Sequence, residues 1–374
     1  MARPHAAALA EDAWHRKLER GLRRRGWKNR IIGHVGYGSS RPAAMLKAGL
    51  DPAKADNVIR VFGRVVLSRD RQPGDDEPDL TFGGMRSLHA RDRGWRAFVT
   101  APAMDVPVSV TVGDRTFHTR ADRSGHIDGS FRGHDLGPGW HHVTLTAQGA
   151  EPAKAEVFVV GPDVTHGLVS DIDDTVISTS LPRMMIAAWN TFVRHEAARR
   201  VVPGMAPMYR DLLAGHPGAP IVYVSTGAWN TAPTLTRFLR GHGYPIGPLL
   251  LTDWGPTNTG WFRSGQEHKR ASLDRLARDF PGIVWTLFGD DGQHDPKIYQ
   301  DFAEARPEVV DAIAIRQLTP TEQVLSHGIP VSNEELSPRT SRAPKDVPVY
   351  YAPDGYGLQR ILRAAGKLPE PTSS

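Results

Sequence analysis

Two rhythms of hydrophobic and polar positions divide this chain. From Asn57 to about Val160 the apolar residues come in short, β-branched runs: Val58–Leu67, Val106–Val112, His141–Thr146 and Ala155–Val160. Turn-forming clusters separate them, at Pro73-Gly74, Gly113-Asp114, Arg123-Ser124-Gly125 and Gly137-Pro138-Gly139. Short strands at that spacing predict a small antiparallel β-sandwich, immunoglobulin-like in architecture, over 57–162. Residues 122–131 read as one of its hairpins. From His166 the rhythm changes to short buried runs alternating with helical stretches. Apolar runs at 168–169, 221–224, 249–251, 283–288 and 312–315 predict parallel strands. Amphipathic stretches at 205–214, 231–241, 267–279 and 298–305 predict the helices between them. This alternation is that of a doubly wound α/β sheet, expected over 163–320.

The flanks are less patterned. Residues 31–57 mix Gly and Ala without a period and predict no element. The stretch 320–345 is rich in Pro, Ser, Glu and Arg and reads as a loop-rich tail over 321–374, which ends in a short helix at 356–365. Residues 11–30 hold eight basic residues against three acidic ones, within a basic N-terminal helical segment spanning 1–56. Trp14, Leu18 and Leu22 fall on one helical face there. Such a helix suits either an anionic membrane surface or docking on the rest of the protein. A second apolar helix is expected at 182–193, packed on the sheet or touching lipid beside the site.

Composition narrows the classes of function. The chain has 374 residues, enough for two or three domains, and 23% are charged, as in an ordinary globular protein. It contains no cysteine, which excludes disulfides, thiolate zinc sites and thiol catalysis and fits a reducing, cytoplasmic setting. No run approaches the length of a membrane span, and the first ten residues lack the apolar core of a signal peptide. The net charge of +5 points to an anionic partner: membrane, nucleic acid or a phosphorylated ligand.

The candidate chemistry lies at the ends of the predicted strands. Leu168-Val169-Ser170 runs into Asp171-Ile172-Asp173-Asp174, three carboxylates within four residues. Carboxylates that close repel one another, so they call for a compensating cation. The reading is a Mg2+-dependent phosphoryl-transfer site, with Asp171 as nucleophile and Asp173 as general acid and base. Asp-x-Asp-x-Thr after an apolar strand resembles motif one of the haloacid dehalogenase-like (HAD) phosphatases. Asp-rich turns also serve as plain caps and Ca2+ loops, which is the reading expected of Asp174 as a cap. Thr175 is expected to steer the turn at Asp171.

Three later features fall in the order such an enzyme needs. The strand at 221–224 ends in Ser225-Thr226-Gly227, which resembles a motif-two phosphate-holding loop. Lys269 sits where a motif-three lysine neutralises the nucleophile, with Arg270 as its rival. The strand at 283–288 ends in Gly289-Asp290-Asp291-Gly292-Gln293-His294-Asp295, a second acid-ended strand. There Asp290 is expected to ligate Mg2+ beside Asp171 and the backbone carbonyl of Asp173, with Asp295 orienting a water or helping to ligate.

Taken together, Asp171–Val176, Tyr223–Asn230 and Gly289–Tyr299 resemble the catalytic domain of the actin-patch phosphatidate phosphatase family, over about residues 160–320. The resemblance implies Mg2+-dependent hydrolysis of phosphatidate to diacylglycerol and phosphate, with a lipid substrate, peripheral membrane contact through 11–30 and no specific nucleic acid. Two positions depart from the family pattern: Asp291 replaces an expected Ser, and Gly227-Ala228 replaces Ser-Pro. Two rival readings stand beside it. One keeps the chemistry but acts on a phosphoprotein, a nucleic-acid end or a small phosphomonoester; the other is a non-enzymatic binding module.

Overall fold

The computed structural model describes residues 16–40, 57–68, 101–178, 200–252, 261–292, 294–319, 322 and 347–368. The described residues fall into two compact units. The first gathers those of 1–34, 60–131 and 142–157, and the second those of 35–59, 132–141 and 158–374.

Eight strands hydrogen-bond as one sheet: β1 (Lys28–Ser39), β2 (Val58–Ser68), β3 (Ala101–Pro102), β4 (Pro107–Val112), β5 (Arg115–Arg120), β6 (His126–Arg132), β7 (Gly139–Ala147) and β8 (Ala153–Val160). Their order is β3-β2-β1-β8-β7-β4-β5, with β6 paired to β2. The runs predicted at 58–67, 106–112, 141–146 and 155–160 all became strands. In β4 alternate residues, Val108, Val110 and Val112, are buried, the period of a strand with one face on a core. A two-residue turn at Gly113-Asp114 joins β4 to β5, with Val112 opposite Arg115. Gly113 has φ +55°, the left-handed region that the first position of such a turn requires.

Two expectations fail here. Residues 122–131 are not a hairpin: the turn at Asp122–Gly125 delivers β6 to β2 instead. The Asp122 carboxylate closes that turn by accepting the amides of Ser124 and His126. And residues 31–57, read as featureless, contain most of β1. Gly33 and Gly38 lie in that strand because neighbouring backbone comes too close for a Cβ: one on Gly33 would meet the Lys154 carbonyl at 2.2 Å. A helix covers 16–24, and its Leu18 is 40% exposed.

The second unit is built on six strands, all parallel: β9 (His166–Asp171), β12 (Ile221–Ala228), β13 (Leu249–Thr252), β14 (Val284–Asp290), β15 (Val310–Arg316) and β16 (Val349–Ala352). A small antiparallel pair, β10 (Ile177–Ser178) and β11 (Arg200–Val201), lies outside that sheet. The spatial order is β13-β12-β9-β14-β15-β16, or 3-2-1-4-5-6 when these strands are numbered along the chain. The direction of winding reverses at β9 and β14, and in such sheets ligands bind beyond the carboxyl ends of the strands at that reversal. The inner strands are buried on both faces, which is why they read as unbroken apolar runs.

Among the described residues five α-helices accompany this sheet: α1 (Met205–Gly215), α2 (Ala232–Gly241), α3 (Trp261–Asp279), α4 (Asp295–Ala305) and α5 (Gly355–Ala364). Each buries residues at helical spacing, as in Met205, Met208, Tyr209 and Leu212 of α1. Fully burying a side chain of this size contributes about 1.5–3 kcal/mol. The segment expected as a loop-rich tail supplies the sixth strand, β16, and α5, whose Asp354 caps the first turn by accepting the Gly357 amide at 2.8 Å. The apolar helix expected at 182–193 lies outside the described residues. Among those described, no helix is long and apolar enough to cross a membrane.

Candidate active site

Strand register decides which acids meet. Ser170 of β9 lies opposite Phe288 of β14, so Asp171 and Asp290 emerge side by side past the ends of adjacent central strands. Asp295 opens α4, immediately after β14. It reaches back across Gly289, where a Cβ would stand 2.7 Å from Asp295 Oδ2 and 2.8 Å from Tyr299 Cε2. Glycine at 289 is therefore what allows the third carboxylate into the cluster. One carboxylate oxygen from each of Asp171, Asp290 and Asp295 lies within 4.8 Å of the other two, and all three residues are buried.

Lys269 is the cation of this cluster. It shares a face of α3 with Ser272, Leu273 and Leu276, so helical spacing turns it inward, where it is 3% exposed. Its ammonium lies 2.6 Å from Asp171 Oδ1 and 2.5 Å from Asp295 Oδ1. Arg270, the rival, points elsewhere and pairs with Asp301 at 3.3 Å.

One ammonium does not balance three buried carboxylates. Burial pushes the Asp171 carboxyl well above its usual range; Lys269 opposes that shift, while Asp295 and Asp173 add to it. Asp290 is raised likewise, by burial first and then by Asp295, Asp171 and Asp174. Burial works against the Lys269 charge, but Asp171, Asp295 and Asp290 outweigh it and keep the ammonium protonated. The second oxygens of Asp171, Asp290 and Asp295 are buried without a hydrogen-bond partner among the described residues. Such oxygens are costly unless something positive sits among them. A compact group of hard oxygen donors is the chemistry Mg2+ selects, so these residues fit a divalent cation.

The remaining expected residues surround that group. Asp173 accepts a hydrogen bond from Ser225 Oγ at 2.8 Å, and the Gly227 amide donates to the same Oγ at 2.9 Å. The parallel pairing of Val224 with Asp171 brings the Ser225 loop beside motif one. The Asp173 side chain is not one of the three clustered ligands. Thr175 is fully buried, its hydroxyl without a partner among the described residues. Asp174 begins no helix. It sits in a turn at φ +58°, its amide donating to the Ile177 carbonyl at 2.8 Å. Asp291, the departure from the family pattern, turns its carboxylate to the Leu318 amide at 2.8 Å.

Sequence reading passed over two supporting residues. Ser170 Oγ donates to the Asp171 carbonyl at 2.7 Å and lies 2.7 Å from the Tyr209 hydroxyl, tying the Asp171 backbone to α1. Arg316, at the end of β15, is 5% exposed and donates to the Asp174 carbonyl at 2.6 Å. A buried arginine at a strand end is the available signal for the latter, but only once the strand is known to lie beside β14.

The comparisons with known proteins bear on this half of the chain. The family model of the phosphatidate phosphatase APP1 catalytic domain matches residues 166–317. Phosphatidate phosphatase APP1 of Saccharomyces cerevisiae is 29% identical over 172 residues, 45% of this chain and 29% of that protein. An uncharacterised protein of Schizosaccharomyces pombe is 26% identical over 152 residues, 40% of this chain and 25% of that protein. The chain thus spans less than a third of the length of either relative. Among solved structures, a Parabacteroides merdae β-glucuronidase aligns at a TM-score of 0.24 and 9% identity, covering 86% of this chain and 40% of that one, too weak to bear on the fold. By sequence, residues 166–317 are thus similar to the phosphatidate phosphatase APP1 catalytic domain.

Proposed function

We propose that this protein is a Mg2+-dependent phosphatase that hydrolyses a phosphomonoester through an aspartyl-phosphate, with phosphatidate as substrate and diacylglycerol and phosphate as products. The observation that carries this reading is the buried cluster of Asp171, Asp290 and Asp295 around Lys269, with three carboxylate oxygens left for a cation. The family match supports the phosphatidate assignment.

Asp171, Asp290 and Asp295 would hold the metal. When bound, a divalent cation supplies positive charge that offsets repulsion between the phosphate and these carboxylates. Asp171 attacks phosphorus, a carboxylate O–P bond forms, and the ester P–O bond breaks. Asp173 gives the leaving oxygen its proton and then takes one from the water that releases phosphate. Ser225, the Gly227 amide and Lys269 counter charge on the phosphoryl oxygens. Phosphomonoesters hydrolyse so slowly alone that these groups must together lower the barrier by roughly 20 kcal/mol or more.

The same reading takes the parallel sheet as HAD-like, supported by two acid-ended strands adjacent at its centre, and the antiparallel strands as an immunoglobulin-like module. It also places the protein in the cytoplasm, with the basic helix at 16–24 resting on anionic membrane. Exposed Arg16, Lys17, Arg20 and Arg24 support that contact. Phosphate release from phosphatidate in mixed vesicles, run beside a soluble phosphomonoester panel with and without Mg2+, tests the proposal. Release that needs Mg2+ and favours phosphatidate is expected. Release from soluble esters alone would reassign the substrate, and none from any would leave a binding module.

A further inference from the structure

We propose that Arg316 is a positioning residue for the general acid Asp173, acting through the carbonyl of Asp174. This inference deepens the phosphatase reading and rests on it.

The side chain of Asp173 accepts a hydrogen bond from the hydroxyl of Ser225 on β12. Its backbone is set by the next peptide, and that peptide is unusual. Asp174 is one of two non-glycine residues with positive φ among those described. A left-handed aspartate costs little, but the conformation persists only when its surroundings hold it. Both ends of Asp174 are held: its amide by the Ile177 carbonyl at 2.8 Å, its carbonyl by Arg316 Nη1 at 2.6 Å.

Arg316 is itself fixed. Nη2 donates to Glu322 at 2.6 Å and Nε to the Pro353 carbonyl at 3.3 Å, so all three guanidinium nitrogens are engaged away from the cluster. Glu322 also accepts from Ser178 Oγ at 2.9 Å, which fastens the far end of the same motif-one turn. On the backbone side, Arg316 lies opposite Asp290 in the β14–β15 ladder. Its carbonyl accepts the Asp291 amide at 3.0 Å, and two residues on the Leu318 amide donates to Asp291 Oδ1 at 2.8 Å. The stretch 316–318 therefore grips both acid-bearing loops, the one after β14 through its backbone and the Asp171–Asp174 turn through the Arg316 fork. A planar fork with three separate acceptors fixes an angle as well as a distance, which a single ammonium does not.

This arrangement sets where the acid points, and it adds no donor to the phosphate. Its loss should be felt most where leaving-group protonation matters most. An alkoxide leaves poorly without a proton; p-nitrophenolate leaves well without one. The test compares full-length wild type, Arg316→Gln, Arg316→Lys and Glu322→Gln with Mg2+ on p-nitrophenyl phosphate and on a soluble alkyl phosphate. A misplacement near 1 Å costs about 100-fold, so Arg316→Gln should lose about that in kcat on the alkyl ester and less than about tenfold on the nitrophenyl ester. Arg316→Lys, which keeps a donor for the Asp174 carbonyl, should recover most of the difference. Glu322→Gln should show the same selective loss in weaker form, and it carries the test if Arg316→Gln does not fold. Equal losses on both esters, or none, would overturn the positioning role while leaving the phosphatase reading standing. A wild type inactive on every phosphomonoester would overturn both.

Discussion

Lys269 and Asp171 form a buried ion pair, Nζ to Oδ1 2.6 Å, with side chains 4% and 1% exposed. Charges that deep are tolerated only with partners, and breaking such a pair typically costs about 3–5 kcal/mol. Because Lys269 also serves Asp295, Lys269→Met should strip the neutralising charge from two carboxylates at once. Metal-free Lys269→Met is expected to unfold several degrees below wild type, with saturating Mg2+ narrowing the gap. Scanning calorimetry with EDTA and with Mg2+ reads both effects, and an unchanged midpoint in EDTA would contradict the pair's role.

Asp290→Asn makes the opposite prediction for the metal-free protein. It removes one of three mutually repelling carboxylates, so stability in EDTA should hold or rise. The rise in melting temperature that Mg2+ gives wild type should vanish, because a cation that binds the native state stabilises by its occupancy. A Mg2+ shift equal to that of wild type would place the ion elsewhere.

Gly289→Ala tests the close approach of Asp295. A Cβ there meets Asp295 Oδ2 at 2.7 Å and Tyr299 at 2.8 Å, so the carboxylate must shift out of the cluster. Activity should fall at least about tenfold, with a weaker Mg2+ shift, since such centres tolerate only fractions of an ångström. Unchanged kcat and Mg2+ affinity would show that Asp295 is not a ligand.

The acid-ended strands were legible because parallel strands buried on both faces read as apolar runs, against which Asp171 and Asp290 stand out. Lys269 over Arg270 was decidable only from the helical face that Ser272, Leu273 and Leu276 share with it. What escaped depends on partners far along the chain. β1 carries Gly33 and Gly38 for backbone clearance, and those glycines hide its strand character. β16 is four residues long and exists by pairing with β15. The 122–131 stretch has the turn of a hairpin, but antiparallel pairing is settled by the whole sheet, and β6 joined β2. Arg316 has no local motif at all.

The first unit should be acid-labile. Burial lowers His34 to about 3 and His126 to about 4, each from 6.5; for His34 the neighbouring His126 adds to the shift. The unfolded chain binds these protons more readily than the folded one. Their contribution is thus fully present above about pH 6.5 and is lost as pH falls through 6.5 towards 4. Urea midpoints at pH 7 and pH 4.5 read this directly, and His126→Gln should flatten the difference. Equal midpoints in wild type would contradict buried neutral imidazoles.

The proposed chemistry depends on a covalent role for Asp171. Acid quenching during turnover of a radiolabelled phosphomonoester with Mg2+, followed by peptide mapping, looks for that covalent phosphate. Label is expected on the peptide containing Asp171 in wild type, and none in Asp171→Asn. Turnover without label on that peptide, or an Asp171→Asn variant that still releases phosphate at the wild-type rate, would contradict it.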